Sequence, residues 1–312
     1  MYVRFAFTAV LLFVLYRRIE FAQFRAAAAG LKWWPLALFF PICVANKICT
    51  SLRWRELLKA DGIVLPFWKL FASYWVGSFF NIFMPSNIGG DVYRIADVAK
   101  RSDKPVGTTV SVFADRLAGF VVMSFMGVLF PLLGLEMIPP AMHWVLYLSA
   151  GVFTCFIAAA VVVQSEFFIG VCLRFLPRKF REKANATAQT ARSSFRSYLN
   201  KPAVLAKCLG LSCLFQTGMV VAIWSVGESL GLGIAPFAYF VFVPIINLLE
   251  SVPWTMYGMG ARDAGYTMFF TAVGCVENPA AAAAVMSLVY VTLSLAYASA
   301  GGIIFALRRL KS

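Results

Sequence analysis

Six apolar segments dominate this sequence, and they limit the fold more than any other feature. They cover residues 5–16, 31–51, 107–133, 143–163, 204–230 and 280–307. A helix of about 20 apolar residues crosses the hydrocarbon core of a bilayer. Of the 312 residues, 61% are hydrophobic and only 13% are charged, which excludes a soluble globular domain. The sequence therefore predicts an all-α polytopic membrane protein with about six full spans.

The first of these segments also has features of a cleaved signal peptide, because Arg4 precedes it and small residues follow at 26–30. We interpret it as a short first span instead. Arg17 and Arg18 follow the apolar run directly, and five further segments already commit the chain to the membrane.

Two further apolar runs, over residues 67–84 and 237–256, are interrupted by proline and glycine. Both interruptions combine the same residue types: Pro85, Gly89, Gly90, Asp91 and Arg94 in the first, and Pro253, Gly258, Gly260, Arg262 and Asp263 in the second. Proline and glycine break the helical hydrogen-bond ladder, and irregular backbone within a membrane survives only against protein or a wet cavity. Two interruptions at corresponding positions of two halves indicate a transporter binding site.

The distribution of basic residues predicts the topology. If both interrupted segments are re-entrant, four basic regions fall on the cytoplasmic side, as the positive-inside rule expects. These regions are residues 53–69, 94–104, 174–201 and the end of the chain. Both termini are then cytoplasmic. The basic loop 17–30 contradicts this arrangement, whereas region 94–104 contradicts the alternative in which both segments span fully, so both alternatives stay open.

The re-entrant arrangement also predicts an inverted repeat. A first half at about 31–135 and a second half at about 204–308 then each contain a span, a broken helix and a span, in opposite orientations. The span 143–163 and the basic cytoplasmic segment 166–201 join the halves within a single membrane domain, residues 1–312. Broken helices in two inverted halves are a common transporter architecture.

Three arginines in or beside the apolar segments are candidate ligands of a lipid headgroup. An ionisable group inside a span costs about 3 kcal/mol, so it is usually retained for a reason. Arg116 lies within a span, and Arg94 and Arg262 follow the two glycine motifs. A guanidinium offers a phosphate a planar, bidentate fork. The alternative for Arg116 is an internal ion pair with the neighbouring Asp115, which would fix helix packing.

The glycines of both interruptions and four carboxylates complete the predicted site. The glycines place backbone N–H groups at a helix start, where anions bind; they are Gly89, Gly90, Gly258 and Gly260. The carboxylates pair with the arginines, couple transport to protons or hold a cationic headgroup; they are Asp91, Asp115, Glu250 and Asp263. The sequence does not select among these roles.

The composition argues against several other functions. His143 is the only histidine, and the seven cysteines show no metal-ligand spacing, so we expect no metal site and no histidine-based triad. The sequence has no G-x-x-x-x-G-K motif for ATP, and we expect no cofactor. We attribute the net charge of +14 to cytoplasmic loops rather than to nucleic-acid binding. The segment 166–201 either lies on anionic headgroups or simply follows the positive-inside rule.

Two interpretations concern the membrane interface. Lys47, in the span 31–51, is expected to extend its side chain to the inner interface. Aromatic residues with a polar group are enriched at membrane interfaces, and five tryptophans are expected there. They are Trp33, Trp34, Trp68, Trp75 and Trp144.

Taken as a set, these motifs resemble the membrane region of the lysylphosphatidylglycerol synthase/flippase family, which includes the flippase half of the multiple peptide resistance factor. The resemblance rests on P-x-x-x-G-G-D-x-x-R at 85–94, V-F-A-D-R-L-A-G at 112–119 and P-x-x-x-x-G-x-G-x-R at 253–262. It extends from the second span to the end of the chain. One departure is Asp263, where many members have Glu. Because nothing follows Ser312, we expect no aminoacyl-transferase domain and no lysyl transfer.

The resemblance and the charged residues together predict a lipid flippase or scramblase of the bacterial inner membrane, rather than an enzyme. Its partners would be membrane lipids, either phospholipids or polyprenyl-phosphate-linked precursors, with an anionic or zwitterionic headgroup. Two alternatives stay open. One is an accessory membrane subunit for a glycosyltransferase or lipid-modifying enzyme, and the other is an intramembrane transferase. The sequence does not determine the lipid, the direction of transport or the oligomeric state.

Overall fold

A computed structural model describes residues 30–83, 88–162, 164–174, 177–251, 260–274 and 276–309. Within these ranges all regular structure is helical, and we number the helices from α1 in chain order. The helices are α1 (Trp33–Ala60), α2 (Phe67–Phe83), α3 (Ile88–Ser102), α4 (Pro105–Leu133), α5 (Trp144–Val162), α6 (Glu166–Arg174), α7 (Arg178–Leu199), α8 (Pro202–Ser229), α9 (Pro236–Ser251), α10 (Ala261–Val273) and α11 (Pro279–Arg309). The predicted all-α membrane fold is confirmed.

Five helices in the described ranges are long and apolar enough to cross a membrane. They are α1, α4, α5 together with the turn before it, α8 and α11. These five coincide with five of the six predicted spans, and the predicted span at residues 5–16 lies outside the described residues. The chain is therefore a multi-pass membrane protein.

Helix α1 extends well beyond the predicted span 31–51, because it ends only at Ala60. The residues that follow Ser51 are good helix formers, and glycine first appears at Gly62, which has a φ of 76°. Arg53 therefore lies inside the helix, where it is only 4% exposed. The predicted end of this span at Ser51 was therefore wrong.

The first interrupted segment forms an antiparallel helical hairpin, which we call hairpin 1, from α2 and α3. The ring of Phe80 stacks on Tyr93, and the backbone N–H of Gly90 donates to Asn81 Oδ1 at 2.6 Å. A side chain at Gly90 would collide with the backbone carbonyl of Gly77, so the two glycines permit the close approach of the helices. Pro85, in the connection between them, lies outside the described residues.

Both ends of hairpin 1 lie at the same end of the protein. The guanidinium of Arg308, at the end of α11, donates to the backbone oxygen of Lys69 at 3.1 Å. It also pairs with Asp97 Oδ2 at 3.3 Å. Lys69 belongs to the first turn of α2 and Asp97 to the second half of α3. The chain therefore enters and leaves hairpin 1 at one end.

The second interrupted segment forms a corresponding hairpin, hairpin 2, from α9 and α10. Phe242 stacks on Phe269 with ring centroids 4.6 Å apart, and Glu250 pairs with Arg262 near the turn. A side chain at Gly265 would be in tight contact with Ile246. The connecting residues 252–259, which include Pro253 and Gly258, lie outside the described residues.

The helices pack in a reciprocal pattern. Helix α1 packs along α8, α2 packs on α11, and α9 packs on α4. The order long helix, hairpin, long helix occurs in residues 33–133 and again in residues 202–309. The hairpin of each half therefore rests on the last helix of the other half, and the two first helices pair with each other.

The predicted basic regions converge at one end of the molecule. Lys104 Nζ donates to the backbone oxygen of Asp61 at 3.0 Å, and Lys201 Nζ donates to that of Ala60 at 2.8 Å. Ser194 of α7 also donates to Asp61 Oδ2 at 3.1 Å. These contacts bring the end of α1, the start of α4 and the junction of α7 with α8 together. At the other end, the N–H of Lys32 donates to the backbone oxygen of Ser229.

Four of the five tryptophans predicted to be interfacial are exposed, each in the first turn of a helix. They are Trp33 and Trp34 in α1, Trp68 in α2 and Trp144 in α5. Trp75 differs, because its indole N–H donates to the backbone oxygen of Tyr297 at 3.2 Å. Its role is to hold α2 against α11.

Candidate functional site

The carboxylate of Asp115 is the centre of a buried polar cluster at hairpin 1. It is 0% exposed, and it accepts hydrogen bonds from three other helices. Arg53 Nε of α1 donates to Oδ1 at 2.6 Å, while Arg94 Nη2 of α3 and the hydroxyl of Tyr74 of α2 donate to Oδ2 at 3.0 and 2.9 Å. We call these residues, with Asp91 and Arg116, the Asp115 cluster. The carboxylate thereby fixes hairpin 1 against α1 and α4.

The guanidinium of Arg94 lies between two aromatic rings. Its Cζ atom is 3.7 Å from the ring centroid of Tyr74 and 4.2 Å from that of Trp54. Stacking of this kind stabilises a desolvated cation. Its Nη1 also pairs with Asp91 Oδ1 at 3.4 Å, whereas its buried Nε has no hydrogen-bond partner among the described residues. Arg94 is thus firmly held but retains hydrogen-bonding capacity.

Arg116 is the accessible member of the Asp115 cluster. Its Nε donates to Asp91 Oδ2, and its side chain is 31% exposed, compared with 3% for Arg94 and 5% for Arg53. It lies eleven residues after Pro105, about 17 Å along α4. If the hydrocarbon core, about 30 Å thick, begins where α4 begins, that depth is close to the midplane. Charged side chains at such a depth usually pair with one another or line a water-filled cavity.

Arg116 does form an ion pair, but with Asp91 rather than with the predicted partner Asp115. Neighbouring residues on a helix point about 100° apart, so Asp115 and Arg116 face different helices. Asp115 pairs with Arg53 and Arg94, whereas Arg116 pairs with Asp91 of hairpin 1. Three acid–base pairings that the sequence could not assign are thereby fixed.

Three residues of this region were missed by sequence reasoning: Lys47, Arg53 and Tyr74. Lys47 does not extend to the interface as predicted, because its Nζ donates to Ser78 Oγ at 2.6 Å and lies 5.0 Å from the Tyr74 ring centroid. Arg53 donates to Ser212 Oγ of α8 at 2.7 Å as well as to Asp115. One signal was present for Arg53. Polar residues at helical spacing, Asn46, Thr50 and Arg53, form a buried stripe on α1.

Hairpin 2 carries a second cluster around Arg262, which is 1% exposed. Its Nε donates to Glu250 Oε1 at 2.9 Å, and its guanidinium lies 4.8 Å from the ring centroid of Tyr290. Asp263 Oδ2 accepts the backbone N–H of Gly260 at 2.9 Å, so this carboxylate caps the start of α10. Gly260 has a φ of 84°, a conformation that favours glycine. We call these residues the Arg262 cluster.

The comparison with known families agrees with the motifs. Residues 1–296 match the family model described as "Lysylphosphatidylglycerol synthase TM region". The chain belongs to this family. The predicted family resemblance is therefore confirmed. No curated protein and no solved structure matches the chain.

In this member of the lysylphosphatidylglycerol synthase TM-region family, the predicted site residues fall into two clusters, one on each hairpin. Asp91, Arg94, Asp115 and Arg116 lie together at hairpin 1, and Glu250, Gly260, Arg262 and Asp263 lie together at hairpin 2. A headgroup that contacts all three predicted arginines would have to reach both clusters. That shared contact stays a prediction.

Two of the backbone N–H groups that were predicted to bind an anion already donate to acceptors within this protein. The N–H of Gly90 donates to Asn81, and that of Gly260 donates to Asp263. Gly89 is buried in the first turn of α3, and Gly258 lies outside the described residues. In this conformation the side chains of Arg116 and Arg94, rather than the N–H groups of Gly90 and Gly260, are the donors suited to an anion.

Proposed function

We propose that this protein is a lipid flippase or scramblase of the bacterial inner membrane. It would move an anionic or zwitterionic lipid, either a phospholipid or a lipid-linked precursor, between leaflets without a chemical change. Its family supports a role with lipids. The observation that carries the proposal is Arg116, a partly exposed guanidinium near the membrane midplane that Asp91 holds. Ionisable residues within membrane segments often mark the pathway of a polar substrate.

The packing supports a transport architecture. The ends of hairpin 1 meet at Arg308, as expected for a re-entrant segment. The reciprocal packing of the helices supports an inverted repeat, in which exchange of the two half-conformations exposes the site to alternate sides. The basic end would be cytoplasmic, together with both termini.

The contacts suggest how a headgroup would be bound. A phosphate arriving at Arg116 competes with Asp91 for the same guanidinium, and the displaced Asp91 keeps Arg94 as its partner. The contact between α3 and α4 at this point then loosens, while Asp115 still holds Arg94 and Arg53. The lipid tails would remain in the bilayer. This sequence of events is a hypothesis, and an Asp91→Asn variant with unaltered transport kinetics would argue against it.

The test is lipid translocation in proteoliposomes. Headgroup-labelled phospholipids and a labelled polyprenyl phosphate are reconstituted with the protein, and an external quencher reports the fraction that reaches the outer leaflet. With wild-type protein, we expect the quencher to reach more labelled lipid than the outer-leaflet fraction alone. Arg116→Ala should reduce the translocation rate at least about tenfold, equivalent to about 1.4 kcal/mol. Arg101→Ala is the matched control, because Arg101 is 40% exposed and pairs with Asp97 on the surface of α3.

Each outcome has a clear meaning. Unchanged transport in Arg116→Ala, with the protein monodisperse on size exclusion, would refute the site. Loss in Arg262→Ala as well would support a headgroup path that includes both hairpins. If the wild-type protein moves none of the lipids, the flippase proposal fails and the accessory-subunit alternative takes its place.

A further inference from the structure

The charges around hairpin 1 do not balance, and the imbalance bears on which headgroup fits. Four cations of the described residues are connected by direct contacts: Lys47, Arg53, Arg94 and Arg116. The carboxylates in the same set of contacts are Asp91 and Asp115. Four positive and two negative charges give a formal excess of two positive charges. The connecting residues 84–87 of this hairpin include no charged residue.

These cations contact the same neighbouring side chains. Lys47 and Arg94 both contact the ring of Tyr74, at 5.0 and 3.7 Å from its centroid. The Tyr74 hydroxyl donates to Asp115, which already accepts from Arg53 and Arg94. Uncompensated charge in a low-dielectric interior is strongly unfavourable. An anion beside this set would relieve the repulsion among its cations.

Hairpin 2 shows the opposite balance. Its cluster contains Arg262 with the carboxylates Glu250 and Asp263, which gives a formal charge of −1. An anionic headgroup therefore gains little from the Arg262 cluster. The selection of headgroup charge falls to hairpin 1.

We propose that the Asp115 cluster, together with Lys47, selects lipids whose headgroup has two negative charges, that is, a phosphate monoester or a diphosphate. A phosphate monoester has a charge of about −1.5 to −2 at neutral pH. The dianion neutralises the excess of two positive charges, whereas a phosphodiester neutralises half of it and a zwitterion none. This inference rests on the proposed function for the route of the lipid, but it concerns binding. Lys47, which sequence reasoning assigned to the interface, becomes a specificity residue.

The test compares lipids with identical tails and different headgroup charges. Phosphatidic acid is the monoester, phosphatidylglycerol the singly charged diester and phosphatidylcholine the zwitterion. The purified full-length protein in uncharged detergent is titrated with each lipid in 0.5 M NaCl, and the apparent Tm is followed. High salt suppresses binding at the exposed basic end far more than binding at the buried cluster. We expect phosphatidic acid to bind about tenfold tighter than phosphatidylglycerol, and phosphatidylcholine to bind most weakly.

Two variants test the role of Lys47, and one further ligand tests whether the site binds free phosphate instead of a lipid. Lys47→Gln removes one excess charge and should reduce the preference for phosphatidic acid over phosphatidylglycerol to about equality. Lys207→Gln is the matched control, because Lys207 is 64% exposed near the basic end, and it should retain the preference. Inorganic phosphate is titrated separately. If it binds as tightly as phosphatidic acid, the occupant is free phosphate and the lipid proposal is wrong.

The remaining outcomes decide between this inference and the proposed function. Equal wild-type affinities for phosphatidic acid and phosphatidylglycerol refute the charge selection, even if Lys47→Gln fails to fold. If these equal affinities are accompanied by translocation of phosphatidic acid and phosphatidylcholine, the charge selection is refuted while the flippase proposal stands. A tenfold binding preference without translocation of any lipid supports the charge selection and refutes the flippase proposal.

Discussion

The two hairpins have the same construction but different chemistry. Each consists of two antiparallel helices with an interruption between them and an arginine at the start of the second helix or just within it. At hairpin 1 the cluster has excess positive charge, and although Arg94 itself is 3% exposed, the cluster includes Arg116 of α4, which is 31% exposed. At hairpin 2 the arginine is 1% exposed and bonded to Glu250. A repeated fold therefore does not require repeated chemistry, and this difference is the reason that we propose headgroup binding at hairpin 1 rather than at hairpin 2.

The largest expected difference between the hairpins concerns their carboxylates. Asp115→Asn leaves Arg53 and Arg94 buried without a charged partner in common, and removal of one partner from a buried ion pair costs about 3–5 kcal/mol. Glu250→Gln should cost less, about 1–3 kcal/mol, because its side chain is 19% exposed and it pairs with one arginine, whereas Asp115 pairs with two. Unfolding of both variants by SDS in mixed micelles measures the two losses. Equal losses would show that the hairpins are electrostatically equivalent.

The glycines provide a second comparison. Gly90→Ala places a methyl group against the backbone oxygen of Gly77 and should cost about 1–3 kcal/mol through overpacking. Gly260→Ala should cost a similar amount for another reason, the strain of a φ of 84°. Gly210→Ala is the control, since a Cβ atom there meets no atom within 4 Å and α8 should gain about 0.5–1 kcal/mol. A neutral Gly90→Ala, measured in the same assay, would remove the close-approach explanation for hairpin 1.

A smaller effect separates the two roles of Tyr74 at hairpin 1. Tyr74→Phe deletes the hydrogen bond to Asp115 but keeps the ring that Lys47 and Arg94 contact, and it should cost about 1 kcal/mol. Tyr74→Leu removes the ring as well and should cost about 1 kcal/mol more. Apparent Tm values in detergent rank the variants. If Tyr74→Phe and Tyr74→Leu had the same Tm, the cation–ring contacts would contribute nothing to stability.

The smallest effect is expected outside both hairpins, where an exposed ion pair serves as a reference. Arg192 hydrogen-bonds Glu166 and lowers the pKa of that carboxyl. The folded-state pKa is below the unfolded value, so the pair stabilises the fold above the unfolded pKa, and this contribution disappears as the pH falls through the folded pKa. Glu166→Gln should therefore lower the apparent Tm slightly at pH 7 and leave it unchanged near pH 3. If the Tm difference between the wild-type protein and Glu166→Gln grew as the pH fell, the prediction would be wrong.

Much of this architecture could be predicted from the sequence. Apolar length and the proline and glycine interruptions predicted the five described spans and both hairpin locations, because these features act through local physics. The pairing of acids with arginines around Asp91 and Glu250 was also among the expected possibilities. Interruptions and intramembrane charges were sufficient to locate the two polar clusters, and their role in binding stays a prediction.

The remainder depends on tertiary contacts that local patterns do not encode. The sequence placed Arg53 after the end of the span, in a basic region, but Asp115 and Ser212 hold its side chain within the protein. Asp263 could not be recognised as a helix cap rather than an ion-pair partner. In the sequence, Tyr74 is not distinguishable from the other aromatic residues of the apolar segments. Its contact with two cations arises only when α1, α2 and α3 pack together.

The reciprocal packing of α2 on α11 and of α9 on α4 makes the chain an internal dimer. Each half supplies the wall that the other half's hairpin needs, so neither half presents a complete folding unit on its own. A displacement of one hairpin would therefore be felt by a long helix that belongs to the opposite half. In the proposed transporter, this connectivity would couple movements of the two hairpins to each other.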